Sequence, residues 1–242
     1  MGDLQIAPNA SEPVVENQAA MLGDDGGSYI PALRVRALTR FYDPVVALTT
    51  REHEFKRRLV DQLGPEPGQR ILDLGCGTGT LALLVKGRQP EVAVSGLDAD
   101  PEMLARAEEK AAEAGADVEL SEGRSDAMPY ADESFDAVVS TLFFHHLSRP
   151  VRDATAAEVL RVLAPGGELH VADWGRPADP LMGLAGLAIR ALDGFEPTAD
   201  NFAGRLPATF AAAGLTDVRT RSRMRTAFGT LAFHSARKAK GP

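Results

Sequence analysis

Three glycines stand at alternate positions in Asp73-Leu74-Gly75-Cys76-Gly77-Thr78-Gly79, between the apolar run Arg70–Leu74 and the helix-patterned run Thr78–Gly87. Without a Cβ, such a loop turns tightly and lets a ligand approach the backbone closely. A chain that leaves a strand through this loop and enters a helix at once is building a βα unit, and the following sequence repeats that unit. Val92–Asp98, Val118–Glu122, Phe135–Ser140 and Gly167–Trp174 read as strands, the last introduced by the turn Pro165-Gly166-Gly167. Pro101–Ala114, stopped by Gly115, reads as a helix, as does a stretch near Thr155–Leu163. Strands spaced by helices predict right-handed crossovers and a parallel sheet.

The two ends depart from this alternation. Leu181–Leu192 and Gly204–Ala213 read as helices, then Asp217–Met224 and Thr230–Ala236 as an antiparallel hairpin. Upstream, Pro31 opens a helix to about Phe41, and Asp43-Pro44 supplies the cap and first turn of a second helix. Its apolar positions Val45, Leu48, Phe55, Leu59 and Leu63 fall near one face, and Gly64–Gly68 ends it. Residues 1–28 carry five acids, no bases and no apolar period, and read as a disordered acidic tail. The expectation is an α/β protein with a doubly wound, mostly parallel sheet of seven strands ending in an antiparallel hairpin, and an N-terminal helical extension. Residues 29–242 form one domain: helices at 29–64, a ligand-binding core at 70–174, a lid and helix at 175–214, and the hairpin at 215–242.

Composition narrows the function. A net charge of −8 over 242 residues argues against a general nucleic-acid binder, which needs a basic face to displace counterions from phosphates. A single cysteine, Cys76, excludes an internal disulfide and fits a reducing, cytoplasmic setting. The first basic residue is Arg34, so no charged leader region is expected. The most apolar stretch, Leu181–Ile189, is too short for stable membrane insertion. His53, His170 and His234 show no metal-ligand spacing, so no metal is expected.

Three carboxylates give the loop its chemistry. Asp98 follows Gly79 by nineteen residues and ends the second strand, where it can accept from both hydroxyls of a ribose. Asp126 follows the third strand, in Ser125-Asp126-Ala127-Met128-Pro129, and can accept from an exocyclic amine such as that of adenine. The spacing is G-x-G-x-G, not the G-x-G-x-x-G that seats a pyrophosphate, and Asp73 precedes it. That favours a ligand bearing an ammonium or sulfonium over a nicotinamide dinucleotide.

With these motifs, residues 70–174 resemble a class I S-adenosylmethionine-dependent methyltransferase with a Rossmann-like fold. Ile71–Gly79 and Gly96-Leu97-Asp98-Ala99-Asp100-Pro101-Glu102-Met103-Leu104 are similar to that family's first two motifs. Ser125–Tyr130, Ser134-Phe135-Asp136-Ala137-Val138 and Leu163–Gly167 resemble later ones. The nearest group is the ubiquinone/menaquinone-biosynthesis-like small-molecule methyltransferases. The resemblance implies S-adenosyl-L-methionine as cofactor. Asp73, Gly75, Cys76, Gly77 and Gly79 would hold its methionine part and Asp98 its ribose. Ala99 and Met103 would border the adenine, Asp126 would receive the adenine amine beside Ala127, and Ser140 and Thr141 would close the pocket near the sulfonium.

Methyl transfer needs positioning and, for an acidic acceptor, a base. His145-His146 directly follow the fourth strand, at the rim of that pocket. Resemblance to phosphoethanolamine methyltransferases implies a pairing of His146 with Tyr42. Asp173 and Trp174 end the fifth strand, and Leu181–Leu192 with Phe195 form a candidate apolar lid. The run Arg219–Arg225 places four arginines on one strand face, read as a charged edge guarded against aggregation. The expected partner is a small, largely apolar acceptor, with no nucleic acid, and the chain is a monomer or homodimer. A regulatory protein that binds the cofactor without turnover, and a nucleic-acid or protein methyltransferase, are the competing readings.

Overall fold

The computed structural model describes residues 51–193 and 195–241. The expected tail, the helix from Pro31 and the start of the helix at Asp43-Pro44 lie outside them. Helix α1 (Glu52–Leu63) is followed by β1 (Arg70–Leu74), α2 (Thr80–Arg88), β2 (Ala93–Asp98), α3 (Pro101–Ala114) and β3 (Glu119–Glu122). Then come β4 (Phe135–Thr141), a 3-10 turn (Phe144–His146), α4 (Arg149–Val162) and β5 (Leu163–Trp174). Helices α5 (Pro180–Asp193), α6 (Phe195–Phe202) and α7 (Leu206–Ala212) lead to β6 (Thr216–Thr226) and β7 (Gly229–Arg237).

The seven strands form one sheet in the order β3-β2-β1-β4-β5-β7-β6. The first five run parallel, β7 pairs antiparallel with β5, and β6 antiparallel with β7. Strand side chains alternate between faces, and each face has its own core. Ile71, Val94, Val139, Ala172 and Phe233 pack with Phe55 and Leu59 of α1 and Leu81 and Val85 of α2. Leu72, Leu74, Val138, Leu169 and Val171 pack with Val159 and Val162 of α4 and Phe210 of α7. Strand order reverses between β1 and β4, and at such a switch point the carboxyl ends of the strands part to leave a crevice.

Four features differ from the sequence expectation. Helix α4 starts at Arg149, because Pro150 sits in a first turn that needs no N–H from it. Strand β5 starts at Leu163, since Leu163 pairs with Phe135 and Gly166 and Gly167 bond to residues 238–239 after β7. Helix α6 was not anticipated. Finally, β6 carries a bulge between Thr220 and Ser222. Directly opposed residues share a face, so Arg219 lies with Ser235, whereas Arg223 and Arg225 lie on the other face with Ala232 and Thr230. The arginines are exposed along the edge but do not share one face.

Candidate active site

The glycine loop is stitched to the end of β2. Gly75 and Cys76 donate backbone N–H to the Leu97 carbonyl at 2.8 and 3.1 Å, and Gly77 donates to Asp98 Oδ2 at 2.7 Å. Gly75 and Gly77 hold φ of +68° and +53°, a region that disfavours residues with a Cβ. Asp98 Oδ1 accepts from the Asp100 amide at 3.0 Å. Burial raises the Asp98 carboxyl above its ordinary pKa, and these amides oppose the rise. Ser140 Oγ donates to the Leu74 carbonyl at 2.7 Å, tying β4 to β1 across the switch point.

Beneath the loop, Asp73 is fully buried on the face covered by α2. Its Oδ2 accepts from the Ala82 amide in the first turn of α2 at 3.1 Å, while Oδ1 has no partner. Burial pushes this carboxyl up to about 7, despite the pull of nearby Lys56. An unsatisfied buried carboxylate oxygen beside a glycine loop is the acceptor that a ligand's ammonium would use. A Cβ built on Gly77 meets no atom within 4 Å, whereas one on Gly75 would lie 2.3 Å from Phe143 Cδ2. The residues therefore fit a cofactor with a ribose and an ammonium.

At the carboxyl ends of the strands lies a cavity of about 230 Å³. Leu74, Gly75, Leu97, Asp98 and Ala99 form one wall, and Gly123, Arg124, Ser125 and Asp126 form the floor after β3. Phe143, His146, Leu147, Ser148 and Val151 form the opposite wall. Arg124 grips Asp126 bidentately at 2.6 and 2.9 Å.

The opposite wall rests on a buried frame. Arg152 of α4 is 2% exposed and donates to the carbonyls of Phe144 at 3.2 Å and Leu147 at 2.8 Å. It also pairs with Asp200 of α6 at 3.0 Å. Below the turn, Asp173 Oδ1 accepts from His145 Nδ1 at 2.7 Å and from the Trp174 amide at 2.6 Å, and Oδ2 accepts from the His145 amide at 3.2 Å. Burial alone would raise the Asp173 carboxyl, but the His145 imidazole and these donors hold it below its ordinary value. The rings of His145 and His146 lie 3.9 Å apart, centre to centre.

Of the residues expected at the site, Gly75, Asp98, Ala99, Asp126 and His146 line the cavity. Asp73, Gly77 and Gly79 lie at or beneath the loop, outside that lining. Cys76 is buried, and burial together with Asp73 and Asp98 raises its thiol well above the usual range. Met103 is buried in α3, Ala127 is exposed, and Ser140 is committed to Leu74. Thr141 is half-buried outside the lining, and His145 sits behind His146. Tyr42 lies outside the described residues. In α5, Leu181, Leu184 and Leu187 face solvent, opposite buried Met182. Among the described residues no cluster could hold a metal ion. Sequence reasoning missed Arg124, Phe143, Ser148 and Val151 in the lining, and Arg152 behind it. Ser148 followed by Pro150 was the available signal that a helix starts there.

Comparison with known proteins bears on residues 71–167, which match the family model described as a methyltransferase domain. A demethylmenaquinone methyltransferase of Thermus thermophilus is 40% identical over 130 residues, 54% of this chain and 58% of that protein. A ubiquinone/menaquinone biosynthesis C-methyltransferase of Bdellovibrio bacteriovorus is 34% identical over 131 residues, 54% of this chain and 55% of that protein. The chain thus spans a little over half the length of these relatives. Among solved structures, a SAM-dependent methyltransferase from Aquifex aeolicus superposes with a TM-score of 0.60 at 20% identity, covering 83% of this chain and 96% of that one.

Proposed function

We propose that the core of this chain, residues 71–167, is a class I S-adenosylmethionine-dependent methyltransferase domain, a reading supported by its match to the methyltransferase-domain model and by its relatives, and that the protein methylates a small, largely apolar metabolite. The observation that carries this reading is the convergence of Gly75, Asp98 and Asp126, from the carboxyl ends of β1 and β2 and the loop after β3, on one cavity. S-adenosyl-L-methionine, when bound, supplies a methyl group already activated by a sulfonium. The chain's own work is to bind, orient and exclude water. Asp73 Oδ1 takes the ammonium, Asp98 takes the ribose hydroxyls, and Asp126 takes the adenine amine once it turns from Arg124. The apolar residues Phe143, Leu147 and Val151 receive the acceptor and keep water from the line of displacement. A ring nitrogen of His146 would receive the O–H, N–H or C–H proton that the acceptor gives up when its bond to the methyl replaces the methyl–sulfur bond.

The relatives' names support an acceptor like demethylmenaquinone. No helix among the described residues is long and apolar enough to cross a membrane, and the charge of −8 fits a chain without nucleic-acid partners. We read residues 29–242 as one domain acting in the cytoplasm, as a monomer or homodimer. The test has two arms. Calorimetry should detect S-adenosylhomocysteine binding, and Asp98→Ala should weaken it at least about tenfold, the loss of one charge-assisted hydrogen bond of about 1.5 kcal/mol or more. Mass spectrometry should then find a methylated product in a panel of apolar acceptors that includes demethylmenaquinone. Unchanged affinity in Asp98→Ala would reject the ribose assignment.

A further inference from the structure

Two imidazoles and one carboxylate are stacked in a line behind the cavity: Asp173, then His145, then His146. Asp173 is wholly buried, and every donor named for it is fixed by the backbone or by His145. His145 is 3% exposed and does not reach the cavity, whereas His146 is half-buried and lines it. At 3.9 Å between ring centres the two imidazoles cannot both carry a proton without strong repulsion in so dry a place. The carboxylate bonds the His145 ring directly, while its charge reaches His146 and the buried His234 of β7 only through space.

We propose that Asp173 and His145 are positioning residues that keep the shared proton on His145 and thereby hold the imidazole of His146 neutral at the cavity wall. A neutral imidazole is the form that accepts a proton. The pair thus converts an adjacent histidine into a standing acceptor rather than a cation facing a cationic cofactor. This rests on the methyltransferase reading, which gives His146 a proton to accept. Other charges around the turn are already matched. Arg152 of α4 behind it is paired with Asp200 of α6. Across the cavity Arg124 is paired with Asp126, and Asp98 is held by the Gly77 and Asp100 amides. None of these selects between the two rings as Asp173 does.

The experiment is a pH titration of the full chain by nitrogen NMR, with histidine labelled and the rings assigned by substitution. In the wild type, His145 should take up its second proton first as pH falls, with His146 still neutral. Asp173→Asn releases the proton from His145, so the His146 midpoint should move up. His145→Gln keeps a donor for Asp173 and removes the charge, so that midpoint should move up by about one pH unit or more. If His145 is neutral in the wild type, Asp173→Asn would move the midpoint down and His145→Gln would leave it in place, and either result overturns the proposal. Protonation of His146 before His145 in the wild type also overturns it, even if a variant fails to fold. A role confined to packing would lower the melting temperature without moving the His146 titration. No acceptor substrate is needed, so failure here is separable from failure to find a methylated product.

Discussion

At the scale of single residues, Asp73 is a carboxyl held far from the environment its type prefers. A carboxyl raised from 3.8 to about 7 by burial binds protons more tightly folded than unfolded. Its contribution to stability is therefore complete below pH 3.8 and is lost as pH rises through about 7. Asp73→Asn keeps an oxygen for the Ala82 amide and removes the charge. Denaturant unfolding of the ligand-free protein should show the variant gaining on the wild type between pH 4 and 7, by an amount on the order of 4 kcal/mol. A gap that does not change with pH would mean that Asp73 is ionised throughout. The sequence announced an acid before the glycine loop. It could not announce the orphaned oxygen, which depends on α2 closing over the strand. His145 and His146 were equally legible as a pair, yet only the turn at Phe144 decides which ring reaches the cavity and which meets Asp173.

Elements carry the next layer. Gly75 and Gly77 look alike in sequence, but the loop treats them differently. Gly75→Ala sets a Cβ into Phe143 as well as straining φ, and should cost about 2–3 kcal/mol. Gly77→Ala strains only the backbone, at about 1 kcal/mol, and should lose S-adenosylhomocysteine affinity out of proportion to that. Melting curves and calorimetry on the two variants separate these effects. Arg152 is the corresponding pin for the opposite wall. Arg152→Met leaves two carbonyls and part of Asp200 unpaired and should cost about 3 kcal/mol. Hydrogen exchange should quicken at residues 143–148 and in α6 while the sheet keeps its protection. Most of the parallel strands were readable as apolar runs bounded by turn residues, while the short β3, Glu119–Glu122, keeps only Leu120 of that signal. An arginine within a helix reads as exposed, so the buried clamp was not readable. The bulge in β6 was hidden for a related reason: a period of two assumes no extra residue.

Across the whole molecule, ionisable groups with opposed preferences are spread over one sheet. His234, buried on β7 between its neighbours β5 and β6 and with Thr220 on its ring nitrogen, is lowered from 6.5 to about 4 by burial. Its contribution is present above pH 6.5 and is lost as pH falls through about 4, on the order of 3 kcal/mol. That slope opposes the one from Asp73 over nearly the same interval, so the wild-type stability curve should be flatter there than either group alone implies. His234→Gln should expose the Asp73 slope, with stability rising as the solution is acidified from pH 6.5 toward 4, as read by denaturant midpoints. The overall topology was legible from the spacing of strands and helices. The ion pairs that hold its ends were not: Glu168 and His170 pair within β5, and Arg237 reaches Glu168 only once β7 lies beside it. The cavity has a matching division. One wall is gathered from the ends of β1 and β2 and the loop after β3, while the facing wall is a single short stretch from Phe143 to Val151, pinned by Arg152. A breeder of new activities could therefore exchange that stretch as a cassette, retaining the clamp, and change the guest while the donor's berth stays as inherited.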